Sequence, residues 1–302
     1  MAFAARSVKP LSRSAWVFSL FWLSLVGCSD SAEQSTSVVS RDTLYALPWE
    51  ELEIYMKAAP SPIQVSAWLR HQKVPFLKGS LHDPTLAGRY AGLQGASNLG
   101  IYITDMAYAH ATGNYQAAYE YLSAVHRLAA RYGVEEVFSP ERIRKLDKLQ
   151  DRPDSAQKLI AQYYGEMQEK LNETGQQIML RHMILGGWVE SLHIISAILQ
   201  KNPNNQSLAE AIVLQKSLAP LLLKLYGVDT LQSPASRQIY THLLELKQQL
   251  ETLSPSESMP KATVQQGLIQ MTSSSKGSAL SPEKLQLIQK PLSELRRYLA
   301  KI

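Results

Sequence analysis

Along most of this 302-residue chain apolar residues recur at intervals of three and four, the period of a helix that turns one face to a core. Apolar runs alternating with polar residues, as in a half-buried strand, are absent. The expected fold is all-α, a set of antiparallel helical hairpins or a bundle. Helix starts are marked locally. Pro48 stands at a first helical position before WEELEIYMKAA, with Glu50 and Glu51 in the first turn, where the helix dipole favours carboxylates. Ser61-Pro62 opens a second helix, and Asp83-Pro84 opens a third that is expected to run to Thr112. Gly113-Asn114 breaks the pattern, and YQAAYEYLSAVHRLAARY follows until Gly133, a natural residue just past a helix end. Ser139-Pro140 and Pro153 open two more, the latter reaching the low 170s. Residues 175–200 make a long apolar helix, and others are expected near 206–226, 234–252 and 281–300. Residues 253–280, rich in Ser, read as a mobile connector.

The helices near 84–112 and 115–132 are expected to form an antiparallel hairpin against the 175–200 helix. Ala, Gly and Tyr on one side would interdigitate with the Ile, Leu and Trp188 run on the other.

The first thirty residues follow a different pattern. Arg6, Lys9 and Arg13 precede about a dozen mostly apolar residues, Ala15 to Val26, too few to cross a bilayer, which needs about 20. This is the build of an export signal. The only cysteine, Cys28, ends it, and Leu25-Val26-Gly27-Cys28 resembles the lipobox of bacterial lipoproteins. That resemblance implies a diacylglyceryl thioether on Cys28 and cleavage before it, and so a membrane anchor made of lipid. Ser29 follows, where aspartate in that family favours inner-membrane retention, so the resemblance implies the outer membrane rather than the inner. A lone thiol in an exported chain has no internal disulfide partner, and lipidation removes it. The expected organisation is a signal over 1–27, a lipidated flexible tether over 28–42, a helical core over 43–252, the connector over 253–280 and a C-terminal helix over 281–302.

The net charge of +5 falls to +2 once the three signal cations are removed. No Lys/Arg cluster with interleaved aromatics appears, so nucleic acid is not an expected partner. Half of the fourteen tyrosines lie between Tyr90 and Tyr132. Asn98, Tyr102, Asp105, Ala109 and Thr112 fall on one helical face, and Asn98, Tyr102, Asp105 and Tyr108 are the candidates for binding a protein or peptide. The bland alternative is that the rings pack in the core while their hydroxyls reach backbone or water.

Glu190 and His193 have the Glu-x-x-His spacing of di-iron helical bundles, and His182 lies within about 20 degrees of His193 on an ideal helix. His182, Glu190 and His193 are therefore the candidate metal ligands, although the chain holds no second Glu-x-x-His. His82-Asp83 reads as a turn before Pro84. No nucleophile elbow, zincin helix or phosphate loop is present.

Gly113-Asn114-Tyr115 with Ala118 and Leu122 resembles the turn of a tetratricopeptide repeat, with no second copy at the 34-residue period. Lipobox, this segment and LGGWVESLHII at 185–195 together are loosely similar to Bacteroidetes helical lipoproteins of unassigned function, a resemblance that implies a fold and no catalytic residues. The expected function is a lipid-anchored helical domain, facing the periplasm or the cell surface, that serves as a non-enzymatic interaction module. No cofactor is expected beyond the lipid on Cys28. The alternative is a metal- or small-molecule-binding bundle centred on His182, Glu190 and His193.

Overall fold

Ten helices account for most of what the computed structural model describes, namely residues 53–54, 61–227, 234–253, 262–265, 268–271 and 280–301. The signal, the tether with Cys28, and all but Glu53 and Ile54 of the helix expected after Pro48 lie outside the described residues. The helices are α1 (Pro62–His71), α2 (Gly92–Ala111), α3 (Tyr115–Ala129), α4 (Pro140–Asp147), α5 (Pro153–Glu173), α6 (Gln177–Lys201), α7 (Gln206–Leu214), α8 (Ala219–Gly227), α9 (Pro234–Glu251) and α10 (Pro282–Lys301). The fold is all-α in character.

Local chemistry sets several of these boundaries. Ser61 caps α1 in a reciprocal box, accepting from the Gln64 amide while its own amide donates to Gln64 Oε1. At the α2–α3 joint Gly113 takes φ +78°, which a residue with a Cβ adopts only under strain, and Asn114 caps α3 by accepting from the Ala117 amide.

The element expected to run unbroken from Pro84 to Thr112 is divided. Pro84–Arg89 forms a 3-10 turn, Ala91 is extended, and Gly92 turns the chain at φ +54° before α2 begins. Tyr132 holds this corner by donating from its hydroxyl to the Gly92 carbonyl. The expected 206–226 helix is likewise split into α7, a short 3-10 turn and α8. Inside the segment read as a connector, β1 (Ala262–Gln265) pairs antiparallel with β2 (Leu268–Met271), Ala262 opposite Met271. In the sequence Gln266-Gly267 stands between the two paired segments, and a glycine-containing pair between short apolar runs is a hairpin signal that the composition of the segment obscured.

The expected association of α2 and α3 with the 175–200 helix is present: α2 lies between α3 and α6 and packs most extensively against α6. The point of closest approach differs from the expected small-against-large interdigitation, because it is small against small. A Cβ placed on Gly100 of α2 would fall 1.9 Å from the Met183 carbonyl oxygen, and one on Gly186 of α6 would fall 2.1 Å from that of Ser97. Thr104 closes the contact, its hydroxyl donating to the carbonyls of Gly100 and Gly187. Trp188 points elsewhere on α6 and donates from its indole nitrogen to Gln215.

By length and composition α6 is apolar enough to cross a membrane, but it is buried within the domain and covered by α2, α10, α7 and α5. It also carries the buried ionisable groups Arg181, His182 and Glu190, which are costly at membrane depth.

Gly100→Ala and Gly186→Ala each force backbone apart from backbone and are expected to destabilise the fold by about 3 kcal/mol, the upper end for overpacking. Gly165→Ala in α5, where a Cβ meets nothing within 4 Å, is expected to be neutral or to stabilise by about 0.5–1 kcal/mol. Denaturant melts of the three variants check this, and equal midpoints would contradict the packing.

Candidate functional site

Between α1 and α2 the chain runs through two 3-10 turns with few backbone hydrogen bonds of its own, so its polar groups need partners from the helices. They find them in the polar stripe of α2. Tyr108 accepts from the Leu77 amide and donates to the Pro75 carbonyl, and Tyr102 donates to the Asp83 carbonyl at 2.8 Å. The Asp105 Oδ2 accepts from the His82 amide at 3.2 Å. From α3, Tyr121 donates to the His82 carbonyl. Asn98 turns toward the other side and donates to Gln94 and, on α10, to the Leu299 carbonyl.

Asn98, Tyr102, Asp105 and Tyr108 are all fully buried, so the expected partner-binding face is corrected: it is an internal seam that fastens an irregular segment and α10 to α2. The bland reading of the tyrosines describes what they do. Their bodies fill the core and their hydroxyls reach backbone carbonyls.

A cluster of charge forms where this seam meets α6 and α10. Arg296 of α10 grips Glu190 of α6 through two hydrogen bonds, Nε to Oε2 and an Nη2 contact to Oε1 at 2.7 Å. The same guanidinium donates to the Ser80 carbonyl at 3.0 Å, and His193 Nε2 lies 3.1 Å from that oxygen. His82 Nδ1 stands 3.6 Å from Glu190 Oε2, beyond hydrogen-bond length. One atom each from His82, Asp105 and Glu190 lies within 4.8 Å of the other two.

Electrostatics separates the two carboxyls. Burial and the nearby Glu190 charge push Asp105 well above the ordinary carboxyl range, so it holds its proton. Burial acts in the same direction on Glu190, but the Arg296 guanidinium overcomes it and holds Glu190 well below that range, ionised. Burial also keeps His193 neutral by lowering its pKa.

The sequence-derived ligand set is not brought together, which is a second correction. His182 and Glu190 are eight residues apart on one helix, about 12 Å along the axis. His182 is buried against Ser97 Oγ at 3.1 Å, with its ring edge-on to Tyr226. Glu190 and His193 do meet one region, but there Glu190 faces Arg296 and His193 a carbonyl. The sequence reading missed His82 as a site residue and missed Arg296 altogether. A signal for Arg296 existed: Ile288, Leu292, Leu295 and Leu299 form the buried stripe of α10, and Arg296 sits at its edge.

Arg296→Ala leaves the Glu190 carboxylate buried without its counter-charge and is expected to cost about 3 kcal/mol or more. Because α10 loses its tie to the Ser80 carbonyl as well, amide exchange over 282–301 should accelerate more than exchange over α2, and hydrogen-exchange mass spectrometry reads that difference.

His110 and His182 supply the pH dependence. Burial, helped by Arg70, takes His110 down to about 4, and burial, helped by Arg181, takes His182 down to about 3. An unfolded histidine takes up its proton near pH 6.5. Their contribution is therefore complete above about pH 6.5 and is lost as pH falls toward 4 and 3. Replacing His110, neither of whose ring nitrogens has a hydrogen-bond partner among the described residues, by Leu is expected to remove about 3 kcal/mol of the loss between pH 7 and pH 4. Urea melts at the two pH values check it, and parallel losses in wild type and variant would refute it.

Compared with models of known families, with curated proteins and with solved structures, the chain matches none.

Proposed function

We propose that the chain is a bacterial lipoprotein whose helical domain is held at a membrane, the outer one by the Ser29 rule, through lipid on Cys28 and works by binding rather than catalysis. The observation that carries the binding half of this reading is the direction of the polar chemistry. Tyr102 and Tyr108 of the α2 stripe spend their hydroxyls on internal backbone groups, and Glu190 is gripped by Arg296. What the described residues turn outward is a surface, with an open cleft of about 650 Å³ between α9 and α10 lined by Glu245, Glu283, Glu294, Leu287 and Pro291. Leu287 is more than half exposed there, an apolar contact inside a polar rim of three glutamates, two glutamines and Lys290. The narrow cavity beside His110, about 20 Å³, has room for one water and none for an organic ligand.

The anchoring half rests on the lipobox around the sole cysteine. Two or three acyl chains, at about 0.8 kcal/mol per buried methylene, hold a domain to a bilayer where one is marginal. The likeness of the Gly113-Asn114 turn to a tetratricopeptide repeat is confined to the α2–α3 joint and implies no array. A metal-binding reading on His182, Glu190 and His193 has no support from their placement.

Cys28→Ser is expected to leave an unprocessed precursor that takes up no labelled fatty acid in the producing cell, while wild type is labelled and shortened. Continued labelling of the variant would refute the anchor.

A further inference from the structure

The cluster of His82, Asp105 and Glu190 contains two atoms that its hydrogen bonds leave over. Asp105 is fully buried, and its Oδ1 has no hydrogen-bond partner among the described residues, although its Oδ2 is occupied by the His82 amide. His82 Nδ1 is also buried at the atom level and has no hydrogen-bond partner among the described residues, Glu190 Oε2 standing 3.6 Å away. A buried carboxyl oxygen and a buried imidazole nitrogen left in this way are each costly, and natural folds satisfy nearly all such atoms. One ligand atom each of His82, Asp105 and Glu190 lies within 4.8 Å of the other two.

We infer that His82 Nδ1, Asp105 Oδ1 and Glu190 Oε2 form a site for one divalent transition-metal ion of the zinc class, which clasps the 78–83 turn to α2 and α6.

Two observations carry this. The donor set of one imidazole and two carboxylates suits a borderline ion and is too nitrogen-rich and too small in number for calcium. The separation of 3.6 Å between His82 Nδ1 and Glu190 Oε2 exceeds a hydrogen bond, yet it is close to the roughly 3.3 Å between neighbouring ligand atoms around a tetrahedral ion with bonds of about 2.0–2.1 Å. Arg296 does not take the place of the ion. It binds Glu190 from the α10 side and, like the outer partners of known metal ligands, fixes that carboxylate in orientation. Of the three residues only His82 reaches solvent, its side chain 12% exposed, and it marks the entry path for the ion. An ion here would tie the turn to two helices directly and to α10 through Glu190 and Arg296.

A second trio, His242, Glu245 and Glu294, lies at the α9–α10 surface, where the carboxylates are exposed or half-buried, and provides the control. The full chain, stripped with chelator and kept in detergent, is titrated with Zn²⁺ by calorimetry. One equivalent is expected to bind. His82→Gln and Asp105→Asn should each weaken it at least about tenfold, and His242→Gln should leave it unchanged. Absence of saturable binding, or loss of binding in His242→Gln with retention in the other two, would overturn the site. Should His82→Gln or Asp105→Asn fail to fold by circular dichroism, Co²⁺ titration of the His242→Gln chain decides. Intense visible bands that saturate at one equivalent support a four-coordinate site at the cluster, and their absence overturns it.

Discussion

The contact between α2 and α6 constrains everything around it. At Gly100 and Gly186 the two helices meet backbone to backbone, closer than any pair of side chains would permit. Such proximity brings the flanking residues of both helices within reach of shared neighbours. Thr104 bonds to carbonyls of both helices, and Ser97 of α2 reaches His182 of α6. The result is a central pair with 17 of 20 residues buried in α2 and 18 of 25 in α6, so neither helix has a free polar face. Polar residues on these two helices must therefore find partners inside the protein.

That requirement explains the hydrogen bonding of the segment between α1 and α2. An irregular stretch covering a core exposes backbone groups that it cannot satisfy by itself, and the stripe of α2 supplies what is missing. Tyr108, Tyr102, Asp105, Tyr121, His193 and Arg296 all end on backbone groups between Pro75 and Asp83. The Glu190–Arg296 pair then links α6 to the last described helix, over a sequence separation of 106 residues. A buried ion pair of this kind contributes little net stability compared with apolar packing, but removing either partner is costly, which favours one placement of α10 over its alternatives.

The element pattern was largely legible because it is local. Ser61, Asn114 and Ser139 act where a capping residue should, and the α2–α3 joint falls at the Gly-Asn pair. Where the reading failed, a local signal was outvoted or overlooked. The break at Tyr90–Gly92 lies in a run of small residues that looks helical by composition, and it is held by a hydroxyl from Tyr132, forty residues away. The β1–β2 hairpin was hidden in a segment whose Ser content suggested a connector.

The candidate site divides along the same line. Sequence by itself determined the all-α class, most helix ends, the lipobox around Cys28 as an expectation, and the presence of ionisable residues at Asp105 and Glu190 within apolar helices. Helical periodicity, capping and composition act over a few residues, so they can be read without a fold. Tertiary structure alone decided what those ionisable residues do. His182 faces Ser97 although it shares a helix with Glu190, because the tight α2–α6 crossing presents that hydroxyl to it. His82 and Arg296 come to Glu190 from a turn 108 residues before it and a helix 106 residues after it. Periodicity carries no information at such separations; only the packing of α2, α6 and α10 around one another brings the charges together.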